Sequence, residues 1–254
     1  MHWLTLATSL LTLGVAALCL HKVRKIHLAT YTLLPSSEQT RQETLALFAQ
    51  FQAYDSLMRL LDFPEPLPPL RGWAASPDFL YTIARHTRRQ QPLTLLECSS
   101  GSSTLTLARC CQLNGQGHVY SLEHDAYYAQ QTRLELERQG LSTWATVVDA
   151  PLVTRSDVPQ PWYDTAGLPA TLKGKVDMLV IDGPPASTAP QARYPAVPVL
   201  RELLSPAAVI FLDDAARPDE KEAVRRWREA YGLKESNISC EKGCTVLTIA
   251  PRGQ

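Results

Sequence analysis

The stretch Leu93-Thr94-Leu95-Leu96-Glu97-Cys98-Ser99-Ser100-Gly101-Ser102-Ser103-Thr104 decides how this chain folds. Its apolar first half has the length and character of a buried strand, which Glu97 ends. The small residues that follow let the backbone turn sharply into a helix, whose first N–H groups point free above the strand. Nucleotide-type cofactors are held over strand-to-helix turns of this kind. Ser99 and Ser103 stand where a G-x-G-x-x-G pattern prefers glycine, so the loop needs support from the rest of the chain.

That support begins downstream. Short apolar strands at 93–97, 118–123, 145–148, 176–181 and 207–212 alternate with helical stretches at 104–114, 126–139, 196–204 and 219–231. The alternation predicts a Rossmann-like, doubly wound α/β fold, with a mostly parallel sheet covered by helices on both faces. Two further strands, about 233–240 and 244–250, follow each other without a helix. They bring the sheet to seven strands and predict an antiparallel hairpin at one edge. Upstream, Ser76-Pro77 reads as a helix cap followed by proline at the first helical position, for a helix to about Arg89.

The amino-terminal part is different in kind. From Trp3 to Leu20 no side chain is charged, a length near the minimum of roughly 17 residues that cross a bilayer. His21-Lys22-Val23-Arg24-Lys25 follows, and only the α-amino group and His2 precede it. The positive-inside rule therefore predicts a single-pass transmembrane helix over 1–25, N-terminus outside, with the bulk of the chain in the cytoplasm. A cleaved signal peptide is the competing reading, but it lacks a basic n-region, and Leu18 is too large for a lipoprotein-type cleavage box before Cys19; a buried or interfacial helix is the third reading. Ser36-Ser37 is expected to cap a helix to about Asp62, and Pro64-Glu65-Pro66-Leu67-Pro68-Pro69 to stiffen the chain into a linker. This makes 26–69 a helical spacer and linker, and 70–254 the main domain.

The chain's 254 residues suffice for one α/β domain with accessory segments. Lys+Arg and Asp+Glu both number 25, so there is no basic surplus to favour a nucleic-acid partner. Arg225-Arg226-Trp227-Arg228 reads as a solvated helix face. The six cysteines form no CxxC pair, which predicts reduced thiols and no zinc site, although Cys240 and Cys244 flank a turn and are placed to pair if oxidised.

Ligands of a doubly wound sheet sit above the carboxyl ends of its strands. Those ends are acidic here: Glu97, Glu123, Asp149 before Ala150, Asp182, and the pair Asp213-Asp214. Glu123 lies 22 positions beyond Gly101, the spacing at which an acidic side chain takes the hydroxyls of a cofactor ribose. One such residue is ordinary turn chemistry, whereas acids at so many strand ends mark a site.

The order of these motifs resembles the class I S-adenosylmethionine-dependent methyltransferases, and among them the O-methyltransferase-like branch grouped as methyltransferase family 24. The resemblance covers about 68–251 and is carried by Pro69-Leu70-Arg71-Gly72-Trp73-Ala74-Ala75-Ser76-Pro77-Asp78, the Leu96–Thr104 loop, Ser121-Leu122-Glu123-His124-Asp125, Asp177-Met178-Leu179-Val180-Ile181-Asp182-Gly183-Pro184-Pro185 and Phe211-Leu212-Asp213-Asp214. The terminal hairpin is similar to that of the family, whose seventh strand is antiparallel and inserted beside the last parallel one. An NAD(P)-dependent oxidoreductase of this architecture would instead continue with a parallel strand.

The resemblance implies methyl transfer from S-adenosylmethionine to an oxygen of a small or lipid-associated acceptor, by a domain tethered to the membrane. It assigns the methionine portion of the cofactor to Glu97, Ser99, Gly101 and Ser103, and the ribose to Glu123. His124 would lie near the adenine, Asp149 and Ala150 at its amino edge, and Trp73 over the cofactor. Asp182 and Asp213 are the implied catalytic carboxylates. In metal-dependent members typified by catechol O-methyltransferase, acids at the positions of Asp182, Asp213 and Asp214 hold a magnesium ion, which makes Mg2+ a second implied cofactor. Those enzymes also keep a lysine three residues after the first aspartate, where this chain has Pro185. The alternative is that Asp213 and Asp214 cap a turn and Asp182 contacts cofactor or substrate. The loops 154–171, with Trp162, Tyr163 and Asp164, and 187–194, with Arg193, are expected to shape the acceptor pocket. Two other functions stay open: an NAD(P)-dependent oxidoreductase, and a non-catalytic module that keeps the fold and binds the cofactor without turnover.

Overall fold

A computed structural model describes residues 2–70 and 72–249. Arg71 of the expected entry motif, and Ala250 and Pro251 at the expected end of the last strand, lie outside the described residues. In chain order the elements are α1 (His2–Leu61), α2 (Pro77–Gln90), β1 (Thr94–Cys98), α3 (Ser102–Asn114), β2 (His118–Glu123), α4 (Ala126–Arg138), β3 (Ala145–Asp149), β4 (Leu152–Val153), β5 (Trp162–Tyr163), β6 (Val176–Ile181), α5 (Ala196–Leu200), β7 (Leu204–Leu212), α6 (Pro218–Tyr231), β8 (Leu233–Ile238) and β9 (Cys244–Ile249).

Two units are distinguished, Met1–Ala49 and Gln50–Gln254. In the first, Thr5–Leu28 is 24 helical residues of mean hydropathy 1.6, long and apolar enough to cross a membrane. The hydroxyls of Thr8, Ser9 and Thr12 donate to carbonyls about one turn earlier, so the helix itself satisfies them. The separate helix expected to start at Ser36-Ser37 is instead a continuation of α1. Extending a helix costs less than nucleating one, because a new start must fix several dihedrals for a single hydrogen bond.

The second unit is built on a seven-stranded sheet of order β3-β2-β1-β6-β7-β9-β8. Neighbours from β3 to β7 are parallel, while β9 is antiparallel to both β7 and β8. This is the expected doubly wound sheet with its antiparallel ending. Alternation along each strand divides the core in two: Leu95, Met178, Val180 and Phe211 join a cluster with Leu57, Leu61, Phe79 and Ile83, whereas Leu96, Leu179, Ile210 and Leu212 join Val197, Leu200, Val224 and Trp227. Because Leu57 and Leu61 are wholly buried, the compact unit takes in the end of α1 and starts ahead of the expected boundary at Leu70. Ser76 occupies the N-cap position of α2, but its hydroxyl bonds Asp78 Oδ1 (2.6 Å) instead of capping the helix.

The arginine-rich stretch of α6 is only partly a solvated face. Arg225 pairs with Glu222 and Glu229, while Arg226 lies over the Tyr194 ring and Trp227 is fully buried. All six cysteines are free thiols.

Candidate active site

The turn from β1 into α3 is held from beneath. Glu97 Oε2 accepts from Thr104 Oγ1 (2.6 Å) and Ser121 Oγ (2.7 Å), and Thr104 Oγ1 in turn accepts from the Gly101 N–H (3.1 Å). Ser99 is fixed by its N–H on Leu122 O (2.9 Å) and has a φ of 99°. Glu97 is wholly buried, which pushes its carboxyl up to about 6 against the hydroxyls of Ser103, Thr104 and Ser121. Gly101 has a φ of 146°, and a Cβ there would meet no protein atom within 4 Å, so the space it would fill is open.

That space belongs to a cleft of about 610 Å3 whose walls include Trp73, Ser99, Gly101, Glu123, His124 and Asp182. Trp73 is 75% exposed at its mouth. Glu123, at the end of β2, is almost completely occupied by its own chain. Oε2 accepts from the N–H and hydroxyl of Ser100 (2.9 and 3.0 Å), and Oε1 from the N–H groups of His124 and Asp125 (2.9 and 3.1 Å). His124 Nδ1 lies a further 3.0 Å from Oε1. Burial alone would raise the Glu123 carboxyl, but the His124 ring, the Asp125 N–H and Ser100 outweigh it and hold it below the ordinary range. The same contact raises His124 against its partial burial.

Ser103 also borders the cleft, whereas Glu97, Asp149 and Ala150 do not. Asp149 turns outward, its side chain 67% exposed and paired with Arg133 (2.8 Å), and Ala150 is buried with its N–H on Glu123 O (2.7 Å). The aromatic pair Trp162 and Tyr163, expected near the acceptor, is fully buried. Tyr163 packs its hydroxyl against Gly183, where any Cβ would collide with it and with Ser99 Cβ.

The sheet brings Asp182, Asp213 and Asp214 together, with one carboxylate oxygen of each within 4.8 Å of the others. Asp182 and Asp214 border the cleft; Asp213 lies behind them with no exposure and no hydrogen bond to either oxygen. Burial, then Asp182 and Asp214, push the Asp213 carboxyl up to about 8, and burial raises Asp182 to about 6 against the pull of Arg193.

Arg193 is the residue whose importance the sequence hid. It is 4% exposed, and Nη2 donates to Asp182 O (2.8 Å) and Asp214 Oδ2 (2.7 Å) and lies 3.3 Å from Asp182 Oδ1. Nη1 donates to Asp213 O (2.9 Å). Its only mark in the sequence is that no other charged residue occurs between Asp182 and Arg201. Lys242, on the hairpin turn, also borders the cleft, with Nζ on Ala74 O (3.0 Å), and nothing in the sequence singled it out.

Comparison with known proteins adds to this geometry. Residues 96–215 match the family model described as a methyltransferase domain. No curated protein matches the chain by sequence. Among solved structures, an SAH-bound methyltransferase from Podospora anserina is similar at 15% identity and a TM-score of 0.54, covering 78% of this chain and 88% of that one. A methyltransferase from Geobacter sulfurreducens gives 13% and 0.51, covering 80% and 89%. An O-methyltransferase from Bacillus cereus in complex with SAH gives 18% and 0.50, covering 78% and 90%. Residues 96–215 are thus similar to the methyltransferase-domain family, and the chain has the Rossmann-like fold of these methyltransferase structures.

Proposed function

We propose that this chain is an S-adenosylmethionine-dependent methyltransferase that modifies an oxygen of a small or lipid-associated acceptor. The observation that carries this reading is one cleft bordered both by the loop Ser99–Ser103 and by Asp182. The open space over Gly101 fits a ligand that lies close to backbone, as the methionine end of the cofactor does in this reading. When bound, the cofactor supplies an activated methyl group.

Ser99, Gly101 and Ser103 hold the methionine portion, and Glu97 serves that loop from below through Thr104. Glu123 takes the ribose hydroxyls by exchanging one of its present donors, such as the Ser100 hydroxyl. His124 stands on the adenine side, and Trp73 covers the mouth. Asp182 is the carboxylate that orients the acceptor hydroxyl or takes its proton; Asp213 acts on it from behind. Asp149 and Ala150 shape the adenine end through the backbone link of Ala150 to Glu123.

In this reading residues 1–25 anchor the protein, 26–69 carry the chain to the catalytic part, and 70–254 work on the cytoplasmic side. The apolar helix Thr5–Leu28 and the basic residues Lys22, Arg24 and Lys25 support it.

Titration of the full chain in detergent with S-adenosylhomocysteine tests the cofactor assignment. Micromolar binding is expected, weakened about tenfold or more in a Glu123→Gln variant, since hydrogen bonds to a charged group contribute about 1.5–3 kcal/mol each. A chain that unfolds cooperatively yet binds no S-adenosylhomocysteine overturns the reading. Binding of a nicotinamide cofactor instead would restore the oxidoreductase.

A further inference from the structure

The three aspartates match a magnesium-binding pattern in the sequence, but the structure puts a different cation among them. Arg193 Nη2 bridges Asp182 Oδ1 and Asp214 Oδ2 at 3.3 and 2.7 Å. Both terminal nitrogens of the guanidinium are held: Nη1 and Nη2 donate to the main-chain oxygens of Asp213 and Asp182, while Nε makes no hydrogen bond and lies 3.8 Å from Glu220 Oε1. A second guanidinium, that of Arg217, reaches Asp214 Oδ2 at 2.9 Å. A magnesium ion requires oxygens converging at about 2.0–2.1 Å in near-octahedral order. To supply them, Asp182 and Asp214 would have to leave Arg193, stranding a buried charge beside a newly bound dication, which is costly on both counts. The third aspartate does not relieve this, because Asp213 has no face on the cleft from which an ion would enter.

We propose that Arg193 is the permanent cation of this cluster and excludes a divalent metal from it. The proposal rests on the methyltransferase reading only for its consequence: the acceptor oxygen is met by hydrogen bonds from fixed side chains rather than by chelation. An acceptor with one free hydroxyl then suffices, and the paired hydroxyls that a chelated metal favours are not required.

The test is direct metal binding by the full chain in detergent, stripped with chelator, followed by the Mn2+ paramagnetic resonance signal and by Mg2+ titration. The expected result for the unaltered protein is no site tighter than about millimolar and no shift of thermal midpoint with Mg2+. An Arg193→Ala variant, which vacates the position between Asp182 and Asp214, is expected to gain Mn2+ affinity at least tenfold, a change that a purely structural arginine would not produce. If that variant does not fold, the unaltered protein compared with Asp182→Asn decides the matter. One tightly bound Mn2+ per chain that Asp182→Asn removes overturns the proposal; its absence upholds it. S-adenosylhomocysteine binding measured on the same samples separates this outcome from the methyltransferase reading, since either can fail while the other stands.

Discussion

Ser99 holds a φ of 99°, a region that a residue with a Cβ enters only at a cost of about 1–3 kcal/mol. The sequence marked this position as a serine in place of the glycine that such loops prefer, and the dihedral shows what the departure entails. Ser99→Gly is therefore expected to stabilise the protein by about 1 kcal/mol, read as a rise in the denaturant midpoint, the relieved strain exceeding the entropy that glycine adds to the unfolded chain. An unchanged or lowered midpoint would show that the side chain contributes more than its backbone costs. Single residues were otherwise legible according to how local their partners are. Glu123, singled out by its spacing to Gly101, borders the same cleft, because the two follow adjacent strands at their carboxyl ends. Arg193 was expected on a loop shaping the acceptor pocket, but not among the aspartates, because its partners at 182, 213, 214 and 220 come from three other segments that only the folded sheet assembles. Asp149 was expected at the cofactor, yet its side chain turns to Arg133 on α4, a choice that no feature of the strand itself encodes.

Elements were read well where they announce their own ends. Asp125 caps α4 by accepting from the N–H groups of Tyr127 and Tyr128 (2.9 and 3.3 Å), directly after the strand that ends in Glu123. Asp125→Ala is expected to cost about 1 kcal/mol of stability in chemical denaturation, with little change in the slope of the transition. Because Asp125 also positions the N–H that Glu123 accepts, a small loss of cofactor affinity should accompany it. The least legible boundary lay between α5 and β7. A helix over 196–204 and a strand from Ala207 were expected; α5 instead stops at Leu200 and β7 starts at Leu204. Pro206 reads as a strand breaker, but here it sits where the pairing with β6 slips, between Val176↔Leu204 and Met178↔Val209, so the proline occupies an irregularity instead of a ladder position. Tertiary pairing thus recruits residues that local preference would leave in a loop.

At the scale of the molecule, the buried acids tie stability to pH. Glu97 and Asp182 are pushed up to about 6 and Asp213 to about 8, all above ordinary carboxylates. The folded state therefore holds protons that the unfolded chain has already released, and its stability falls as pH rises through this window. Glu123, held below the ordinary range, acts in the opposite sense and withdraws its contribution only as pH falls through its folded value. Thermal midpoints are accordingly expected to decline from pH 5.5 to 8.5, by about 2–4 °C for each kcal/mol lost in a chain of this size. Midpoints that stay level over that range would mean that the buried acids are already ionised at pH 5.5, as they would be in the unfolded chain. The sheet's last strand has a consequence of another kind. Five of the six residues of β8 are exposed, and they include Lys234 and Glu235. Proteins held on a membrane, as proposed for this one, meet one another in two dimensions, where encounters are frequent and orientations few. A solvated, charged border makes a poor template for backbone pairing, so it disfavours polymerisation through this edge when such domains crowd a bilayer surface.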